Sequence, residues 1–335
     1  MSRFCNTTTH SNHYLPYIDT LKGFAILYVV LVHSFAFIYI DTTFTVIPLF
    51  FVLSGLFHNT NESISKFFIK RIYTLLIPYI AYNLIIWLEL KALQLMGVDI
   101  PYIRNPLYIF FASYDYDLNN YALWFLPTLF ISEVIFMAVD RLSRLMPHKM
   151  RNIIITIASL VIGYIGYSSE ENLILFFDKG MACTPFYCMG YLFAQSPLWN
   201  KPKRYDKIGY YLIVPMIVTY ILTRADLDVA KGIYEQYFSL LIINIASLFM
   251  ALLYICKLVK NVPIINYFGR NSLIILCTHI ILVIPIYGLY TNICKEPLLY
   301  ILMEISVISL LYFPTIPFCR RFLPYISGVK PQKVQ

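Results

Sequence analysis

The chain predicts an all-α fold: a polytopic integral membrane helical bundle with about ten transmembrane helices and both termini in the cytoplasm. Its 335 residues are 59% hydrophobic and 13% charged, with a mean hydropathy of +0.67. A soluble domain carries about a quarter charged residues. Apolar runs close to the roughly 20 residues that cross a bilayer recur along its length. Basic residues gather in alternate connections between those runs, as the positive-inside rule requires.

The runs fall at roughly 21–40, 44–58, 72–96, 121–139, 152–168, 172–194, 208–223, 236–256, 271–290 and 297–318. The second is short, and the sixth carries Asp178 and Lys179. The connections after the even-numbered runs, with the C-terminal tail, hold eighteen of the 26 basic residues: Lys66, Lys70, Arg71; Arg141, Arg144, Lys149, Arg151; Lys201, Lys203, Arg204, Lys207; Lys257, Lys260, Arg270; and Arg320, Arg321, Lys330, Lys333. The other connections are acidic, with Asp41, Asp99, Asp115, Asp117, Glu170, Glu171, Asp226, Asp228, Glu235 and Glu296. Topology thus accounts for the net charge of +8 without a nucleic-acid partner, and the basic face can hold anionic lipid head groups. The first twenty residues lack the apolar run of a signal peptide, which leaves insertion to the first span. This divides the chain into a polar cytoplasmic tail, 1–16, one membrane domain, 17–319, and a basic cytoplasmic tail, 320–335.

Ionisable side chains inside a span are costly and usually face a cavity, a partner or a substrate path. In the first span Lys22 and His33 are eleven residues apart, within roughly 20° of one helical face and about 16 Å apart along the axis. Ile26 and Val29 fill the same stripe. Asp19 lies three residues before Lys22, a spacing that pairs the two on one turn or leaves Asp19 to orient Lys22. In the ninth span His279 and Ser272 share nearly one face, and Arg270 with Asn271 opens the helix. His279 is either a packing residue or a second histidine of the same chamber. Glu133 in the fourth span is either paired with a cation or supports a histidine. Glu89, Glu304 and the Asp178-Lys179 couple carry the same alternatives. Pro78, Pro127 and Pro185 mark kinks, and Gly55 permits close helix packing. Seven scattered cysteines suggest neither a disulfide framework nor a metal site, and sequons at Asn6 and Asn61 fall on the cytoplasmic side.

Six segments in order, YIDTLKGFAILYVVLVHS, PLFFVLSGLF, KFFIKRIYTLLIPY, ALWFLP, TPFYCMGYLF and GRNSLIILCTH, resemble the bacterial acyltransferase-3 family of membrane O-acyltransferases. Among its branches the chain looks most like the fucose 4-O-acetylase type. The family's first-helix signature is a basic residue, usually arginine, ten intervening residues and a histidine. Lys22 and His33 occupy those positions, with lysine keeping the charge but not the planar fork that grips phosphate in two places. Lys70-Arg71 matches the family's basic motif at the third span.

The resemblance implies an O-acyltransferase, in the first instance an O-acetyltransferase, of the bacterial cytoplasmic (inner) membrane. It would move an acyl group from acetyl-CoA or another acyl-CoA, a donor substrate rather than a bound cofactor, to a hydroxyl of a sugar or lipid-linked glycan. His33 would be the base, with Asp19, Glu133 and His279 as further catalytic candidates. Lys22, Lys70, Arg71, Arg270 and Asn271 would meet the donor's phosphates. The competing class is a transporter or flippase using His33, Glu133 and His279 as a proton path; the absence of a visible inverted repeat speaks against it.

Overall fold

The computed structural model describes residues 15–34, 46–98, 105–111, 121–200, 202–223, 227–229, 231–234, 237–291 and 297–329. The N-terminal residues 1–14, the last six residues, Lys201, Cys5, Cys294, the Asn6 sequon and the loop acids Asp41, Asp99, Asp115, Asp117, Asp226, Glu235 and Glu296 lie outside the described residues.

The regular structure of the described residues is helical, apart from one two-residue antiparallel pairing of β1, Leu227–Asp228, with β2, Ile233–Tyr234. The helices are α1, Pro16–His33; α2, Ile47–Leu56; α3, Ile64–Arg71; α4, Ile77–Leu95; α5, Phe125–Ser143; α6, His148–Tyr167; and α7, Phe177–Gln195. They continue as α8, Pro197–Asn200; α9, Pro202–Thr223; α10, Phe238–Val259; α11, Pro263–Arg270; α12, Ser272–Thr291; α13, Pro297–Leu310; and α14, Ile316–Phe322. Among the described residues six helical stretches are long and apolar enough to cross a membrane, or seven if α11 and α12, bent by 86° at Asn271, count as one.

Three boundaries differ from the sequence expectation for physical reasons. α1 begins at Pro16, five residues ahead of the apolar run, because its polar first turns are satisfied by protein: Thr20 is fully buried, with its hydroxyl 2.5 Å from Asn266 Oδ1 of α11. α2 has only ten residues, about 15 Å, half the apolar thickness of a bilayer. It is nonetheless buried against α7, where Gly55 of α2 meets the carbonyl of Tyr187 and Gly190 of α7 meets that of Val52. A Cβ at either glycine would collide with the opposing backbone. The third apolar run starts much earlier, as α3 and α4 join through a π-helical turn, Ile72–Leu76.

That turn follows from Pro78, which has no N–H for the carbonyl of Thr74; the wider turn carries an N–H from Ile77 to Ile72 instead. A second such turn, Leu311–Thr315, links α13 to α14. Pro185 lies inside α7, whereas Pro127 is in the first turn of α5, where its missing N–H costs no helical bond.

Candidate active site

Five segments of the chain converge on a cavity of about 320 Å³. From α1 come Lys22, Ile26, Val29 and His33, the stripe that helical spacing had put on one face. From α2 come Ile47, Phe50, Leu53 and Ser54, with Phe57 just beyond. The end of α3 and the π-turn supply Lys70, Arg71 and Leu75; α12 supplies Ser272, Leu273 and Leu276. The segment leading into α5 gives Ala122 and Trp124, and α5 adds Phe125, Leu126, Leu129 and Glu133. The wall is therefore mainly apolar, with a few polar groups at fixed points, the usual composition of a small-molecule site.

The cations take three different environments. Arg71 forms an ion pair through Nε with Glu133, the two side chains being 14% and 5% exposed, and its guanidinium also lies over the Phe67 ring. Of the alternatives for Glu133, the structure selects the paired one, and a paired buried carboxylate avoids the penalty of standing alone. Lys22 Nζ lies 5.5 Å from the centroid of Phe57. Lys70 is more exposed and reaches Glu62 at 3.7 Å. An arginine has five N–H donors, so one carboxylate does not exhaust it.

His33 ends α1. Its Nδ1 is 2.8 Å from the carbonyl of Val29. A carbonyl only accepts, so Nδ1 carries the proton and Nε2 is the basic nitrogen of the neutral ring. His279, fully buried in α12, repeats the arrangement with Nδ1 2.9 Å from the carbonyl of Ile275. The two rings meet edge to face at 5.3 Å and 69°. His279 does not line the cavity; it stands behind His33, and its own Nε2 has no hydrogen-bond partner among the described residues.

The remaining site expectations fall elsewhere. Asp19 is half-buried against α11, its carbonyl abutting Gly269, and is not among the residues of the cavity wall. Arg270 is exposed at the end of α11, and Asn271 forms the corner, its Nδ2 donating to the carbonyl of Tyr267 at 2.7 Å. Neither lines the cavity; the contribution of this segment begins at Ser272. The sequence had no signal for Ser54, whose neighbours are all apolar, or for Phe57 as the partner of Lys22. Trp124, of the ALWFLP segment, forms part of the wall and packs against Phe125 and Phe176. Glu304 lies close to the histidine end of α1, where its carboxylate accepts from Ser34 Oγ at 2.5 Å.

The arrangement places a basic nitrogen, a group of cations and an apolar chamber together. It suits a reaction in which a proton leaves a nucleophile while an anionic substrate is held nearby. Searches of curated proteins and of solved structures return no match. The family model of the acyltransferase-3 domain matches residues 15–319, nearly the whole of the described bundle and every residue of the cavity wall. The chain is a membrane protein that belongs to the acyltransferase-3 family.

Proposed function

We propose that this acyltransferase moves an acyl group, acetyl in the first instance, from acyl-CoA to a hydroxyl of a sugar or lipid-linked glycan destined for the surface of a bacterial cell, working in the cytoplasmic membrane. The observation that carries the reading is the shared cavity of His33, Lys22, Lys70, Arg71 and Glu133. In this mechanism His33 Nε2 takes the proton of the acceptor hydroxyl as its oxygen attacks the thioester carbonyl. The C–S bond breaks, and the departing thiolate recovers that proton from the imidazolium to leave as the free thiol. No cofactor beyond the donor is needed. His279 backs the His33 ring and keeps it in one orientation.

Lys22, Lys70 and Arg71 hold the donor's phosphates. Arginine is suited to this because its planar fork fits phosphate oxygens, and Glu133 keeps it aimed. Cytoplasmic placement of both termini, supported by the alternating charge of the connections, puts Lys70 on the side where acyl-CoA is made. The apolar remainder of the wall excludes water, which limits hydrolysis of the thioester.

The test is a reconstituted assay. Purified protein in proteoliposomes, given radiolabelled acetyl-CoA and an extract of bacterial surface glycans, is expected to yield acetylated glycan without an ion gradient. Gradient-dependent movement of glycan with no acyl product overturns the proposal. His33→Ala is expected to lower turnover by roughly 10²–10⁴-fold, the usual range for a lost general base, while CoA still binds. Retained turnover removes His33 from the mechanism.

A further inference from the structure

Residues 323–329 fold back after α14 in a compact turn, with N–H to carbonyl bonds from Ser327 to Leu323 at 3.0 Å, Gly328 to Tyr325 at 3.3 Å and Val329 to Pro324 at 3.0 Å. They follow the matched family segment, which ends at residue 319. Ser327 is fully buried, its Oγ 2.7 Å from the Tyr82 hydroxyl of α4. Gly328 has φ +64, and a Cβ there would lie 2.8 Å from the carbonyl oxygen of Thr74, 2.9 Å from Leu273 Cδ2 and 3.1 Å from Pro78 Cγ. The turn is wedged between two elements that line the cavity, the π-turn after Arg71 and the start of α12.

Thr74 is the weak point of its helix. Pro78 cannot donate to its carbonyl, so the α-type bond that would fix the pitch at this point is missing. The direction in which Arg71 leaves the helix depends on the pitch of the turn that follows it. A glycine in the left-handed region can lie flat against that carbonyl; any side chain would push the π-turn and Leu273 apart. We propose that residues 323–329 are a strap that positions Arg71 for the anionic donor, with Gly328 and Ser327 as its positioning residues. The donor part of this statement rests on the acyl-CoA reading above.

Gly328→Val, purified in detergent, tests the strap with two readouts. The first is the rate at which phenylglyoxal labels Arg71, followed by peptide mass spectrometry, which needs no donor. The second is the affinity for coenzyme A, measured calorimetrically with Arg71 intact and in an Arg71→Ala background. Gly328→Val is expected to speed labelling several-fold and to weaken coenzyme A binding about tenfold with Arg71 present, as a displaced binding group does, but less than about twofold in its absence. Ser327→Ala and Gly328→Ala are expected to shift both readouts in the same direction by less, and they carry the test if the valine variant does not fold. Unchanged labelling, or equal weakening in both backgrounds, overturns the strap. Altered labelling in a protein that does not bind coenzyme A keeps the strap and overturns the donor.

Discussion

Glu133 and Asp140 stand seven residues apart on one face of α5, and each is a buried carboxylate that meets arginine. Asp140 accepts from Arg144 at 2.7 Å and Arg151 at 2.5 Å, with the Tyr191 hydroxyl at 3.5 Å. The arginines around it are used as well: Arg144 donates to the carbonyl of Thr60 and Arg141 to that of Glu62, which ties residues 57–63 to α5. No cavity-lining residue belongs to this cluster. Glu133, by contrast, meets one arginine, at the edge of an apolar chamber that also holds two lysines and a histidine. The same pairing of residue types therefore stands in two settings. Around Asp140 it is saturated and packed, a staple; at Glu133 it borders a cavity, where the proposed function places the site.

The strongest way to break this contrast is Arg71→Ala. It is expected to lower acyl transfer at least about 100-fold and, by leaving Glu133 buried and uncompensated, to cost roughly 3–5 kcal/mol of stability. Pairing it with Glu133→Gln should restore most of the stability and none of the activity. Recovery of both would make the ion pair a staple like the other. Thermal unfolding alongside a turnover assay separates the two quantities.

Asp140→Asn should do the reverse. The loss of the charge that two arginines share is expected to cost about 2–3 kcal/mol, while turnover per folded molecule changes less than about threefold. A large drop in turnover at unchanged stability would place the Asp140 cluster in the catalytic apparatus.

His58 gives the smallest and most specific effect. It lies in the loop after α2, its Nδ1 3.0 Å from the Tyr187 hydroxyl and its ring against Phe136 and Tyr191. Burial, assisted by the charges of Arg71, Arg144 and Arg141 and opposed by Asp140, pushes its pKa down to about 4. Between the unfolded value of about 6.5 and that point the unfolded chain binds a proton that the folded chain does not. Stability therefore falls as the pH drops through this window. From pH 7 to pH 5 the His58 contribution is on the order of 2 kcal/mol. His58→Phe should remove that part of the pH dependence of the melting temperature, and an unaltered pH dependence would show that the loop is not held by a neutral histidine.

Where one helix carried the geometry, the sequence was legible. Lys22, Ile26, Val29 and His33 line the cavity because the α-helical period turns their spacing into a common face. Gly55 packs closely because a glycine in an apolar helix lets another backbone approach. Hydropathy located the long helices α5, α6 and α10 to within a few residues at most ends. It failed at α1, where Asp19 and Thr20 look like residues ahead of a membrane but pack against α11, Thr20 through a hydrogen bond to Asn266 and Asp19 through its backbone carbonyl against Gly269. At α2 it was silent on placement, since an apolar run has the same composition whether it crosses a bilayer or is buried against α7.

Composition and periodicity alone determined that this is a helical membrane protein with a basic residue and a histidine on one face of its first helix, because both depend on properties local to a segment. The partners of those residues were decided only by the tertiary structure. Arg71 could have met any buried acid, and it is the packing of the π-turn against α5 that selects Glu133. His279 could have faced anywhere along its helix, and the bend at Asn271 brings it behind His33. Arg270 and Asn271, adjacent in sequence to the Ser272 that lines the cavity, are turned away by that same bend, since an 86° corner separates neighbours that a straight helix would have kept together.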